Sequence, residues 1–219
     1  MNHSAVDAAA YEAWYHTPRG EWIAGCELRL MLRLLQPAPG ASLLDVGAGT
    51  GHFSRRFAAA GLVVTGVEPD AAMLARARAL DGGVRYLEGR AEALPFPDRS
   101  FDHVAAVTSL CFVSEPARAL AEMWRVARKS VLLGLLNRHS LLYLYKKGRG
   151  GYAGARWDTT ADVCRWIADL DPAPATSRHG TAVHLPTGGP LARRLERWLP
   201  PRLGLGAFLA AVLEKPRIP

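Results

Sequence analysis

Apolar positions recur along this chain in two rhythms. Short unbroken apolar runs fall at Leu43 to Val46, Leu62 to Val67, Val84 to Glu88, Val104 to Thr108 and Ser130 to Leu136. Runs of that length, rich in valine and leucine, suit strands covered on both faces. Between them the spacing becomes helical: Met73, Leu74 and Ala77, then Ala117, Leu120, Ala121 and Trp124 at i, i+3, i+4 and i+7 within a helix expected from Glu115 to Arg128. Before the first strand, Ala5 to Leu35 reads as two helices broken near Thr17-Pro18-Arg19-Gly20, with Cys26, Leu30 and Leu34 on one packed face. After the fifth strand, Thr159 to Leu170 reads as a helix carrying Val163, Trp166, Ile167 and Leu170. Ala182 to Leu185 and Gly206 to Leu213 read as the last two strands, flanking a helix near Leu191 to Trp198. Strands alternating with helices predict an α/β fold built on a mostly parallel sheet.

The first strand runs straight into Asp45-Val-Gly47-Ala48-Gly49-Thr50-Gly51, and helical spacing resumes with Phe53 and Phe57. A strand, a glycine turn and a helix start form a device for bringing a ligand against main chain, because glycine removes the β-carbon. The spacing narrows the ligand. A dinucleotide turn has G-x-G-x-x-G, whereas here the last glycine comes one residue early, and no G-x-x-x-x-G-K-[ST] grips a triphosphate. A nucleoside without phosphates remains. Glu68, closing the second strand 17 residues beyond Gly51, stands where an acid can accept hydrogen bonds from both ribose hydroxyls.

The acidic-x-G-x-G-x-G pattern, followed by Val67-Glu68-Pro69-Asp70 and by Gly89-Arg-Ala-Glu-Ala-Leu-Pro-Phe-Pro-Asp-Arg-Ser-Phe-Asp102, resembles the class I S-adenosylmethionine-dependent methyltransferases of the ubiquinone/menaquinone-biosynthesis type. The resemblance implies a Rossmann-like fold with a seven-stranded, mostly parallel sheet, an antiparallel last strand, helices on both faces and an N-terminal helical lid. It implies S-adenosylmethionine as cofactor and S-adenosylhomocysteine as product. Gly47, Ala48, Gly49 and Gly51 would pack against the methionine part, Asp45 would lie near its ammonium, and Glu68 with Pro69 would hold the ribose. Ala91 and Glu92 would enclose adenine, with Thr108 and Leu110 as floor at the end of the fourth strand. Arg90 would lie in the same segment but stands where the family usually has an aspartate on the adenine amine, a departure from the pattern. Asp70 is expected to cap the helix that follows.

The second half of the sheet then faces the methyl acceptor. Polar residues abruptly follow the fifth strand, which makes Asn137 and His139 site candidates. His139 is the best-placed base by sequence, with Tyr11, Tyr15 and Tyr152 behind it. The aromatic first helix, with Tyr11, Trp14 and Tyr15, reads either as a helix pinned to the core or as a lid. Lys146, Lys147, Arg149 and Arg156, in a glycine-rich stretch, suggest a substrate-covering insertion or a solvated loop. The expected partner is a small molecule, an anionic one if the basic cluster reads charge. Methylation of RNA or protein, and a cofactor-binding protein without catalysis, are the competing readings.

Composition adds limits. At 219 residues the chain suits one domain, with a cap over residues 1 to 36, a cofactor core over 37 to 136 and an acceptor side over 137 to 219. The net charge of +7 raises the question of nucleic acid, but only four of the 27 cations are lysine, so arginine-rich composition explains it as well and no stable nucleic-acid complex is expected. Cys26, Cys111 and Cys164 are odd in number and lack short metal-ligand spacing, which argues for reduced thiols and no metal site. No long apolar run or secretory leader is read, so a cytoplasmic location is the default.

Overall fold

The computed structural model describes residues 7 to 216. Seven strands form one sheet: β1 (Ser42–Val46), β2 (Val63–Glu68), β3 (Arg85–Glu88), β4 (Phe101–Val107), β5 (Ala127–Leu136), β6 (Thr176–Ala182) and β7 (Phe208–Glu214). Their order is β3-β2-β1-β4-β5-β7-β6, and β7 runs antiparallel to both neighbours. The order reverses between β1 and β4, so a crevice opens at the carboxyl ends of those strands, where ligands of such sheets bind.

Residues two apart on a strand share a face, and both faces are covered. Leu43, Leu132, Leu136, Phe208, Ala210 and Val212 pack with α2 (Pro18–Leu35) and α3 (His52–Ala59). Leu44, Val46, Val131, Leu133, Leu209 and Leu213 pack with α5 (Pro116–Val126) and α7 (Thr160–Ile167) on the other side. This double burial is why the central strands read as continuous apolar runs. Trp124 lies in the second core, its indole donating to the carbonyl of Pro172 at 2.9 Å. Asp70 caps α4 (Ala71–Leu80), accepting from the amides of Ala72 and Met73 at 2.9 Å.

At the N-terminus, α1 (Ala8–Tyr15) is followed by Thr17, whose hydroxyl accepts from Gly20 N–H at the start of α2, with Pro18 in the first turn. Ala5 of the expected first helix lies outside the described residues. The insertion after β5 holds a short helix, α6 (Leu141–Lys146), and a 3-10 turn at Gly150–Tyr152.

One strand differs from expectation. β6 is Thr176–Ala182, not Ala182 to Leu185. Its first four residues are exposed because it lies at the sheet edge, so it has no apolar run. The more apolar stretch leaves the sheet at Val183, whose φ is +64°. Val183 N–H and His184 N–H donate to the Glu196 carboxylate on α8 (Pro190–Glu196).

Candidate active site at the carboxyl ends of β1, β2 and β4

The glycine loop leaves β1 at Val46. Gly47 and Ala48 donate their N–H groups to the Val67 carbonyl at 2.8 and 3.0 Å, locking the loop onto the end of β2. Gly51 has a φ of +79°, and a β-carbon there would lie 2.1 Å from the Tyr86 hydroxyl oxygen, so its glycine is required by packing. Gly49 is different. Its φ is +57°, but a β-carbon would meet nothing nearer than Tyr11 Cε1 at 3.8 Å. Open space above bare backbone is the cradle that a ligand's methionine part requires.

Glu68 completes the cradle. One carboxylate oxygen accepts from Gly49 N–H at 2.7 Å and the other from Asp70 N–H at 2.9 Å. Burial raises its pKa, while these two amides oppose that rise. Each oxygen keeps acceptor capacity, which suits a ribose diol. Pro69 is exposed at the rim. Asp45 is buried beneath the loop, where it accepts from the Ser54 hydroxyl at 2.6 Å. Burial pushes its carboxyl up to about 6. These residues fit S-adenosylmethionine: Glu68 can take the ribose hydroxyls and the Gly49 backbone can lie against the methionine part.

Beyond β3, Arg90 is exposed, and its guanidinium meets Glu92 at 3.7 Å. Ala91 packs against the second core. Thr108 has a φ of +49°, a costly angle for a β-branched residue, and its N–H donates to Gly134 at the crossover from β4. Leu110 requires correction as a floor residue. Its side chain is fully buried in the second core, and its carbonyl accepts from Arg156 at 2.8 Å.

The acceptor side also departs from expectation. Asn137 is a strut: its amide donates to the carbonyls of Gly204 and Gly206 at 2.8 and 2.7 Å and accepts from His139 N–H at 3.1 Å. At 2% exposure it has no free group for catalysis. His139 is exposed in a shallow cavity with Arg138, Ser140, Leu141, Leu144 and Leu205. Its N–H donates to Asn137 Oδ1 at 3.1 Å, and it lines that surface cavity. Arg156 does not join a basic cluster: it pairs with buried Asp158 at 2.7 Å and holds the carbonyls of Leu110 and Val113. Lys146, Lys147 and Arg149 are exposed. A larger cavity of about 280 Å³, lined by Asp98, Trp124, Asp171 and Lys215, lies at the opposite ends of the strands.

What gathers above Gly49 is an aromatic cluster. The Tyr11 and Tyr15 hydroxyls are 3.1 Å apart, and the Tyr15 ring stacks on His52 at 3.7 Å. Burial pushes the Tyr11 phenol up to about 12 and the Tyr15 phenol well above its usual range, so both stay protonated at neutral pH. Tyr15 is therefore a hydrogen-bonding and packing residue and not a base. Tyr152 and Tyr143 pack against Trp157, whose buried indole N–H has no partner. Buried Cys111 lies at the end of β4, its thiol on the Thr108 carbonyl.

Glu12 was not singled out by sequence. It is 2% exposed, accepts from the Thr50 hydroxyl, and pairs with Arg55 at 2.6 Å. Burial alone would push it up, but His52, Thr50 and Arg55 hold it at about 2. It fastens α1 to the glycine loop. The one sequence signal was an acid enclosed by the aromatic residues Tyr11, Trp14 and Tyr15.

Comparison with known proteins agrees with this geometry. A methyltransferase-domain family model matches residues 44–134. A Mycobacterium tuberculosis protein of uncharacterized function is 36% identical over 172 residues, covering 74% of this chain and 57% of the relative. The demethylmenaquinone methyltransferase of Renibacterium salmoninarum is 41% identical over 100 residues, 46% of this chain and 42% of that protein. The chain thus spans about half the length of these curated relatives. A Thermotoga maritima structure, described as an S-adenosylmethionine-dependent methyltransferase and possible histamine N-methyltransferase, superposes with a TM-score of 0.75 at 29% identity, over 95% of each chain. Sheet order, glycine loop, the acid closing β2 and these likenesses give the chain the class I S-adenosylmethionine-dependent methyltransferase fold, with a methyltransferase domain at residues 44–134.

Proposed function

We propose that this protein transfers a methyl group from S-adenosylmethionine to a small-molecule acceptor held beneath α1. The observation that carries the reading is the juxtaposition of the open backbone at Gly49 with Tyr11, behind which stand Tyr15, Cys111 and Tyr152. The bound cofactor supplies an electrophilic methyl on a sulfonium, and the protein's task is alignment and exclusion of water. Glu68 and the glycine loop fix the donor end. Tyr11 and Tyr15, protonated at neutral pH, present hydroxyls and aromatic faces toward the acceptor, and Glu12 keeps their helix seated on the loop. The insertion, tied down by Arg156, brings Tyr152 to the same place and closes the side.

Such an aromatic enclosure beneath a helix suits a compact molecule better than a folded macromolecule. The test is calorimetry with S-adenosylhomocysteine, followed by transfer of labelled methyl to fractions of small metabolites, RNA and protein. Binding of the homocysteine compound and label in the small-molecule fraction are expected. Label confined to RNA or protein would overturn the acceptor class, and binding without any transfer would favour a non-catalytic role.

A further inference from the structure

The inward face of α2 carries Ile23, Ala24, Leu30 and Met31, all buried in the first core. Glu27 sits in the middle of that stripe, three and four residues from each flanking pair, where the helical period demands an apolar side chain. Among the described residues it makes no side-chain hydrogen bond and no ion pair within 4 Å. It remains partly accessible, so it is not sealed into the core. The groups facing it come from every neighbouring element. Tyr11 and Tyr15 of α1 and Tyr152 of the insertion are each raised first by burial and further by the Glu27 charge, and Cys26 on its own helix is affected in the same sense. From α3, Arg56 is the one cation whose charge reaches it.

A buried acid without a partner is costly, at neutral pH because folding must protonate it, and its presence on this face points to a ligand that supplies the partner. The rest of the wall consists of phenol rings, whose faces attract cations. We propose that Glu27 binds the acceptor directly and that the acceptor is a small amine, held as its ammonium between Glu27 and the tyrosine rings; this rests on the methyl-transfer reading above. In the reaction the ammonium gives one proton to the Glu27 carboxylate. The freed nitrogen lone pair then forms the new C–N bond as the methyl's C–S bond breaks, its electron pair passing to sulfur. The methylated ammonium leaves, and Glu27 returns its proton to solvent. Burial holds the Glu27 carboxyl up at about 8, which makes it a far better proton acceptor than an exposed glutamate.

The test uses the full chain loaded with S-adenosylhomocysteine and, as probes, phenethylamine, tryptamine and the neutral analogue 2-phenylethanol. Calorimetry should show the amines binding at least tenfold more tightly than the alcohol. Glu27→Gln should remove that preference, Glu27→Asp should restore part of it, and homocysteine-compound affinity should change less than twofold in both. Glu27→Leu, which replaces a desolvated acid by an apolar group, should raise Tm. Three results overturn the assignment: amines binding no better than the alcohol, a preference unchanged in Glu27→Gln, or Glu27→Leu unfolding below wild type. Those results leave methyl transfer itself standing. Failure of the wild type to bind S-adenosylhomocysteine would instead remove the reading on which the assignment rests.

Discussion

At the scale of one residue, Glu68 ties the glycine loop to the end of β2, because its carboxylate holds the Gly49 and Asp70 amides while keeping acceptor capacity that suits a ribose. Replacing it by alanine should weaken S-adenosylhomocysteine binding by roughly 1–3 kcal/mol, since two amides and the ribose lose a partner. Wild-type affinity in that variant would place the ribose elsewhere. Asn137→Ala should behave differently. Its side chain ties β5 to the Gly204–Gly206 turn, so the expected loss is in unfolding free energy, again roughly 1–3 kcal/mol by denaturant titration, with cofactor affinity retained. Glu27 adds a pH signature. Its folded pKa of about 8 lies above the unfolded value near 4.5, so wild-type stability falls as pH rises between those values. The Tm advantage of Glu27→Leu should therefore be full above about pH 8 and shrink toward pH 4.5.

At the scale of elements, α1 is a short helix whose attachment depends on few groups. Tyr15 stacks on His52, and Glu12 reaches Thr50 and Arg55 across the glycine loop. Because α1 covers Gly49, loosening it should affect ligand release. Glu12→Gln is expected to raise the dissociation rate of S-adenosylhomocysteine, measured by stopped flow, more than it slows association. Stability should fall as well. Glu12 has a folded pKa depressed to about 2, so its contribution is present above about pH 4.5 and is lost as pH falls toward 2, with a full value on the order of 3 kcal/mol. An unchanged dissociation rate would show that α1 does not gate the cofactor. The insertion is held differently: Arg156, paired with buried Asp158, spans to the Leu110 and Val113 carbonyls. This fixes the segment bearing Tyr152 and Trp157 against the end of β4.

For the whole molecule, the crevice follows from sheet order. The order reverses between β1 and β4, and the loops after β1, β2 and β3 line the first half of the crevice. That half contains no grip for a pyrophosphate. Calorimetry with NAD should accordingly show no heat under conditions where S-adenosylhomocysteine binds, and tight NAD binding would contradict the site. Among the described residues no helix is long and apolar enough to cross a membrane.

The central strands, the glycine loop, Asp70 as a cap and Glu68 at the end of β2 were determined by the sequence alone. In each case the signal is local: burial on both faces compels an apolar run, and a positive φ or close approach compels glycine at a fixed offset. β6 escaped because an edge strand exposes its polar side and needs no apolar pattern. The acceptor side escaped for a different reason. Asn137 and His139 looked functional because they follow a strand at the right edge, but whether a side chain there turns into the crevice or into a neighbouring turn depends on Gly204 and Gly206, nearly seventy residues later. Glu12, Arg156 and Glu27 likewise acquire their roles from partners or neighbours on other elements. Their surroundings exist only once α1, α2 and the insertion have packed onto the sheet, because desolvation and charge act through space and leave no period along the chain.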